Sequence, residues 1–182
     1  MTARSDRPAR KPKKPKLPRT AMPCQPAEQR ATNFGEVTLG YDDEMAVIEA
    51  SRCLQCKKPK CVDGCPVGID IPAFVQLIEA GDPAGAIAKL KETTSFPAVC
   101  GRVCPQEEQC ELHCILGVKQ EPVAIGRLER YAADWEAAHG SPSKPQVAAK
   151  KGKRVGVVGS GPAGLTCAGE LAKMGYDVTI YE

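Results

Sequence analysis

Eight of the chain's ten cysteines lie between residues 53 and 114, as Cys53, Cys56, Cys61 and Cys65, then Cys100, Cys104, Cys110 and Cys114. The spacings read C-x2-C-x4-C-x3-C-P and C-x3-C-P-x4-C-x3-C. Zinc favours four ligands in C-x2-C pairs that close one site. Iron–sulfur chains instead group three cysteines and send a fourth, followed by proline, across to a second cluster. Cys65-Pro66 fits that crossing role, and Cys53, Cys56 and Cys61 then need a partner from the distant group. Iron–sulfur ligation is the favoured reading. A zinc-stabilised interaction module is the non-enzymatic alternative. Disulfides are disfavoured, because the N-terminus lacks the apolar core of an export signal.

Spacing leaves the ligand sets open. Each site takes four cysteines, or one cysteine drops out and another donor replaces it. Glu129 is the candidate, beside the apolar stripe of a predicted helix, where an unpaired carboxylate is costly. A salt bridge to a nearby Arg or Lys is the competing reading, and spacing alone favours it. His113, next to Cys114, is a weaker candidate.

A second chemistry-bearing stretch runs from Val155 to Gly164, a strand followed by G-x-G-x-x-G and a helix start. Gly159 permits the tight turn, Gly161 lets a pyrophosphate approach the backbone, and Gly164 lets helix and strand pack closely. Pro162 and Ala163 open the helix, whose N-terminus faces the anion. Glu182 stands where an acid should bind ribose hydroxyls. The fingerprint does not separate FAD from NAD(H).

The elements that must position these groups are mostly helical. Asp42 or Asp43 caps a helix from Glu44 towards Cys53 with Met45, Ile48 and Leu54 on its apolar side. Asp70 starts a helix with Phe74, Leu77 and Ile78 on one face and Gly81 as its stop. Asp82-Pro83 starts another, with Ile87 and Leu90 inward. A helical turn is expected from Glu107 to Leu116 and a longer helix from Val123 to Ala138. Val155–Val158, Ala163–Lys173 and Val178–Tyr181 then read as strand, helix and strand, with Cys167 packed inside that helix. The predicted organisation is a disordered basic tail over 1–22, an all-α iron–sulfur domain over 23–140, a linker over 141–153 and the start of a Rossmann-like α/β domain over 154–182.

Composition narrows the options. The first twenty residues carry eight Lys or Arg against one Asp, so the overall charge of +3 conceals a mildly acidic body. That argues against a nucleic-acid-binding surface on the body. No apolar run is long enough to span a membrane, and a cytoplasmic location is expected.

The chain resembles the N-terminal part of the NADPH-dependent glutamate synthase small (beta) subunit. The resemblance rests on Asn33-Phe34-Gly35-Glu36-Val37, Cys53-Leu54-Gln55-Cys56, Cys61 through Cys65-Pro66-Val67, Cys100-Gly101-Arg102-Val103-Cys104-Pro105 and Gly159-Ser160-Gly161-Pro162-Ala163-Gly164. Similar modules occur in dihydropyrimidine dehydrogenases and in the large subunit of electron-bifurcating ferredoxin:NADP oxidoreductases. The resemblance implies an alpha-helical ferredoxin domain with two 4Fe-4S clusters, one on Cys53, Cys56, Cys61 and Cys114. The other takes Cys65, Cys104, Cys110 and a side chain aligned with Glu129, leaving Cys100 outside both. It implies FAD at the glycine loop, and electrons passing from NADPH through FAD and the clusters to the glutamate synthase large (alpha) subunit. No side chain is assigned a catalytic role. Because that family's chain continues past Glu182, the 182 residues alone are expected not to oxidise NADPH.

Overall fold

The computed structural model describes residues 16–140 and 145–182. It is largely helical, with one small two-stranded parallel sheet. After a single turn, α1 (Ala27–Arg30), the chain enters α2 (Asp43–Ser51), whose N-cap Asp42 accepts a hydrogen bond from Met45 N at 2.8 Å. The face that α2 buries differs from the predicted one. Ala46, Glu49 and Ala50 point inward, while Ile48 and Leu54 are exposed.

The cause is a buried charge pair. Glu49 is fully buried and accepts from Arg52, from Thr20 N at 2.7 Å and from Ala124 N at 2.8 Å. Arg52 donates onward to the carbonyls of Leu17, Glu121 and Pro122. A paired, fully hydrogen-bonded charge can sit on the inner face of a helix where an apolar side chain is expected. The same network pins residues 17–20, which composition assigned to a disordered tail. Thr20 O also accepts from Tyr41 Oη and Arg127 Nη1. Residues 1–15 of that tail lie outside the described residues.

Past the one-turn α3 (Lys60–Asp63) come α4 (Ile71–Glu79) and α5 (Pro83–Lys91). Their caps, Asp70 and Asp82, accept from Ala73 N and Gly85 N, and each has a proline in its first turn. Proline fits there because the first-turn N–H groups have no intrahelical partner. Gly81, at φ +74°, turns one helix into the next.

The second cysteine group was expected to end in a helical turn over Glu107–Leu116, with no helix assigned where it starts. It begins instead on a separate helix, α6 (Pro97–Val103), and continues through 3-10 turns at Gln106–Glu108 and Ile115–Val118. The long α7 (Ile125–His139) packs on α5 and α6, and α4 packs on α2 and α5. Phe74, Val75, Ile78, Leu90, Ile125 and Leu128 form the fully buried centre. Cys53, Cys61, Cys65 and Cys114 pack against its edge. With aromatics at only 4%, this aliphatic core is modest.

Beyond it, β1 (Arg154–Val158) and β2 (Asp177–Tyr181) pair in parallel, Val155 against Val178 and Val158 against Tyr181. Parallel pairing needs a crossover, which α8 (Pro162–Lys173) supplies. Cys167, expected to pack inside this helix, is exposed. Part of the predicted linker is tied to this unit, because Ala148 N and Lys151 N donate to Lys173 O and Gly175 O. Lys151 also lies over the Tyr176 ring at 4.6 Å. Among the described residues, no helix is long and apolar enough to cross a membrane.

Candidate metal centre and glycine-rich loop

Cys53 leaves α2 in a turn, its N–H donating to Ala50 O. Two residues on, Gln55 adopts φ +50°, the one non-glycine among the described residues with positive φ. That conformation costs roughly 1–2 kcal/mol for an L-residue, and such strain persists where surroundings over-determine it. Here Gln55 Nε2 donates to Pro72 O at 3.0 Å, tying the turn to α4. The result brings Cys56 round towards Cys61 on α3.

Cys53, Cys56, Cys61 and Cys114 line one common pocket with Pro72, Leu116 and Val123. Burial, and then the neighbouring sulfurs of Cys114, Cys53 and Cys56, push the Cys61 thiol up to about 12. His113 lines the same pocket. Its ring abuts Gly64, where a β-carbon would come within 2.3 Å of His113 Cδ2.

The remaining donors gather elsewhere. Cys104 terminates α6, and its thiol is pushed up to about 11 by burial, Cys100, Glu129 and Cys65. Cys110 is buried and is pushed up to about 12 by burial, Glu111, Cys65 and Glu129. Cys100 stands in this group too, on the helical turn before Cys104 and with its Sγ 3.9 Å from Thr94 Oγ1.

Glu129 lies near these thiols. The residue is 6% exposed, its Oε1 has no hydrogen-bond partner, and burial raises its pKa to about 8. Among the described residues, the salt bridge that spacing favoured is not formed. Arg130, its neighbour, is committed to Glu36, Asp134 and Thr38. Arg127 reaches Thr20 and Tyr41.

Two glycines make this approach possible. A β-carbon on Gly101 of α6 would lie 2.6 Å from Arg130 N, and one on Gly126 would meet the Gln106 side chain at 2.3 Å. Gln106 Nε2 in turn donates to Cys100 O at 3.0 Å. Gly101 and Gly126 thus bring α6 and the following turn flush against α7, with Cys100 and Cys104 beside Glu129. Neither glycine stands out in the sequence, since each acts only through a distant contact.

No disulfide joins any of the ten cysteines, all of which lie among the described residues. Among the described residues, no three His, Cys, Asp or Glu side chains meet closely enough for a single metal ion. Burial disfavours the thiolates of Cys61, Cys100, Cys104 and Cys110, and a bound metal centre, being cationic, reverses that preference. An orphaned buried carboxylate among thiols fits the same requirement.

In the glycine-rich loop, Gly159 adopts φ +97° and its N–H donates to Tyr181 O at 2.8 Å. A β-carbon on Gly164 would strike Gly159 O at 2.1 Å, whereas Gly161 faces open space. Pro162 and Ala163 form the first turn of α8. Glu182 Oε2 accepts from Ser160 N at 2.6 Å, which holds its carboxyl below the usual range and at the lip of the loop.

Fold and donor sets together define a helical iron–sulfur unit joined to the opening of a Rossmann-like nucleotide-binding unit. The family described as "Dihydropyrimidine dehydrogenase domain II, 4Fe-4S cluster" matches residues 30–141, and the chain belongs to it. A second family, "NAD(P)-binding Rossmann-like domain", matches residues 157–182. The chain is 38% identical to the glutamate synthase (NADPH) small chain of Azospirillum brasilense over 161 residues, 87% of this chain and 33% of that one. It is 38% identical to UacF of Escherichia coli (strain K12) over 157 residues, 86% of this chain and 25% of that one. It is equally identical to the NAD-dependent dihydropyrimidine dehydrogenase subunit PreT of the same organism over 147 residues, 81% and 35% respectively. The chain spans about a quarter to a third of the length of these relatives.

Proposed function

We propose that the chain is the electron-relay portion of an NADPH-dependent oxidoreductase of the glutamate synthase small-subunit type. It would hold two 4Fe-4S clusters, one on Cys53, Cys56, Cys61 and Cys114, the other on Cys65, Cys104, Cys110 and Glu129. The observation that carries this reading is the buried, unpartnered Glu129 carboxylate facing the second set of thiols.

When bound, the clusters supply one-electron carriers and a flavin supplies the exchange from two-electron to one-electron steps. The protein's own residues do the rest. Gly101 and Gly126 set the spacing of the second donor set. Gln55 and the α3 turn set the first. The aliphatic core behind Cys53, Cys61, Cys65 and Cys114 excludes water from one side of each site, and burial of this kind tunes cluster potential.

At the glycine loop, Gly159, Gly161, Pro162, Ala163 and Gly164 would cradle the FAD pyrophosphate on the α8 N-terminus. Glu182 would leave Ser160 N to take ribose hydroxyls. NADPH would be the electron source, the glutamate synthase large (alpha) subunit the recipient, and the cytoplasm the setting. A pyrimidine-reducing assembly is the second reading, favoured by the equal identity to PreT.

Serine variants test the donor assignment. Cys53→Ser and Cys114→Ser should abolish the same electron paramagnetic resonance signal, while Cys65→Ser and Cys110→Ser abolish the other. If Cys65→Ser instead removes the signal lost in Cys61→Ser, the crossed assignment is wrong. Affinity capture with the glutamate synthase large subunit, against a pyrimidine-reducing partner, separates the two functional readings.

A further inference from the structure

Four arginines, Arg19, Arg102, Arg127 and Arg130, line an open pocket of about 910 Å³ together with the acids Glu36 and Glu121. That volume falls within the roughly 300–1,000 Å³ of small-molecule sites. The four charges are not equally matched. Arg102 meets Glu36 at 2.6 Å and Asp134 at 2.8 Å, and Arg130 meets the same two carboxylates at 3.0 and 3.1 Å, so two cations share two anions. Arg19 Nη2 pairs with Glu111 at 2.7 Å. Arg127 differs. Its Nη1 donates to Thr20 O at 2.8 Å and to Tyr41 Oη at 3.3 Å, both neutral, and among the described residues no carboxylate pairs with it. A half-buried guanidinium without a counter-ion is unfavourable, and an anionic partner offsets that cost. Arg19 carries an unmet donor as well. Its Nε is closed to solvent and has no acceptor, and an N–H left unpaired is costly.

We infer that this pocket binds a small ligand with a phosphate or carboxylate head group, held on Arg127, with Arg19 Nε as a second donor once that side chain turns. A guanidinium presents its N–H groups as a planar fork that matches either oxyanion. Thr20 and Tyr41 hold the Arg127 fork through Nη1, which leaves Nη2 and Nε for the ligand. Met22 and Gly101 on the same walls give an uncharged body something apolar to lie on. Glu121 repels an anion and restrains the affinity. The chain's own first fifteen residues, with six Lys or Arg against one Asp, carry the wrong sign to occupy the pocket. The site is independent of which side chains ligate metal.

The test is titration calorimetry of the anaerobically purified full-length protein with its cofactors in place. Inorganic phosphate and succinate are the probes, with sodium chloride at matched ionic strength as the control. At least one probe should bind saturably where chloride does not, and the tighter of the two identifies the head group. Arg127→Gln should weaken that binding by about ten-fold or more. Glu121→Gln, at an exposed position, should tighten it by about two- to five-fold. A role confined to holding the backbone would not produce these opposite signs.

If neither probe binds beyond the chloride control, the inference is overturned. Binding that survives Arg127→Gln unchanged belongs to another site and overturns it equally. Should Arg127→Gln fold poorly, Glu121→Gln decides alone, and unchanged or weaker binding in that variant refutes the pocket. None of these results bears on the metal centre, whose iron content serves as the check that each variant is intact.

Discussion

Replacing Gly101 with alanine should damage the second cluster site without touching a single donor. The new β-carbon would sit 2.6 Å from Arg130 N and 2.8 Å from Arg130 Cα. Ordinary contact begins near 3.4 Å, so α6 must retreat from α7 by about 0.8 Å, and both neighbours are backbone that cannot swing aside. Overpacking of this kind costs about 1–3 kcal/mol, a large share of the roughly 5–15 kcal/mol that holds a domain together. The melting temperature should fall by about 4–8 °C for each kcal/mol in a small domain. The retreat also draws Cys100 and Cys104 away from Glu129, so iron in the second site should be lost preferentially. Gly117→Ala is the matched control, because its β-carbon would meet Pro122 at an ordinary 3.9 Å. Circular dichroism melts and iron analysis of the two variants, side by side, provide the assay. Equal melting points and equal iron for Gly101→Ala and Gly117→Ala would refute the role given to the α6–α7 contact.

Glu49→Ala strands the buried Arg52 guanidinium and leaves Thr20 N and Ala124 N without their acceptor. It should cost about 3–5 kcal/mol in denaturant titration, and a loss within ~0.5 kcal/mol, as for a surface site, would show that the network contributes little. Stripping iron with a chelator should lower the helical melting temperature, because folding and metal binding are linked; an unchanged melt would place the metal outside the core. Gly164→Ala drives a methyl group into Gly159 O. In the full-length protein it should release flavin, whereas flavin content equal to the parent would remove the loop from the cofactor site.

Helix starts were the most legible part of the sequence, because their determinants are local. Asp42, Asp70 and Asp82 cap helices through their own side chains, and Pro72 and Pro83 sit where proline is tolerated. The glycine loop was legible for the same reason, since Gly159 is set by its own positive φ and Gly164 by the carbonyl of Gly159 close before it. α6 was missed. Its seven residues carry a central glycine and no apolar period, and its partner surface lies on α7, far along the chain.

The inner face of α2 was misread because Glu49 and Arg52, three residues apart, look like a solvent-exposed pair. Only the arrival of Thr20, Glu121, Pro122 and Ala124 makes their burial tolerable. At the metal centre, the crossing proposed for Cys65 was legible in its following proline. The choice between Glu129 as donor and as salt-bridge partner was not. It depends on where Arg127 and Arg130 spend their hydrogen bonds, which no spacing reveals.

The most direct measurement is metal and acid-labile sulfide analysis of the anaerobically purified chain, alongside its visible spectrum. Two interleaved clusters predict about eight iron and about eight sulfide per chain with broad visible absorption. A colourless protein carrying about two zinc ions, with neither iron nor sulfide, would contradict the relay at its root.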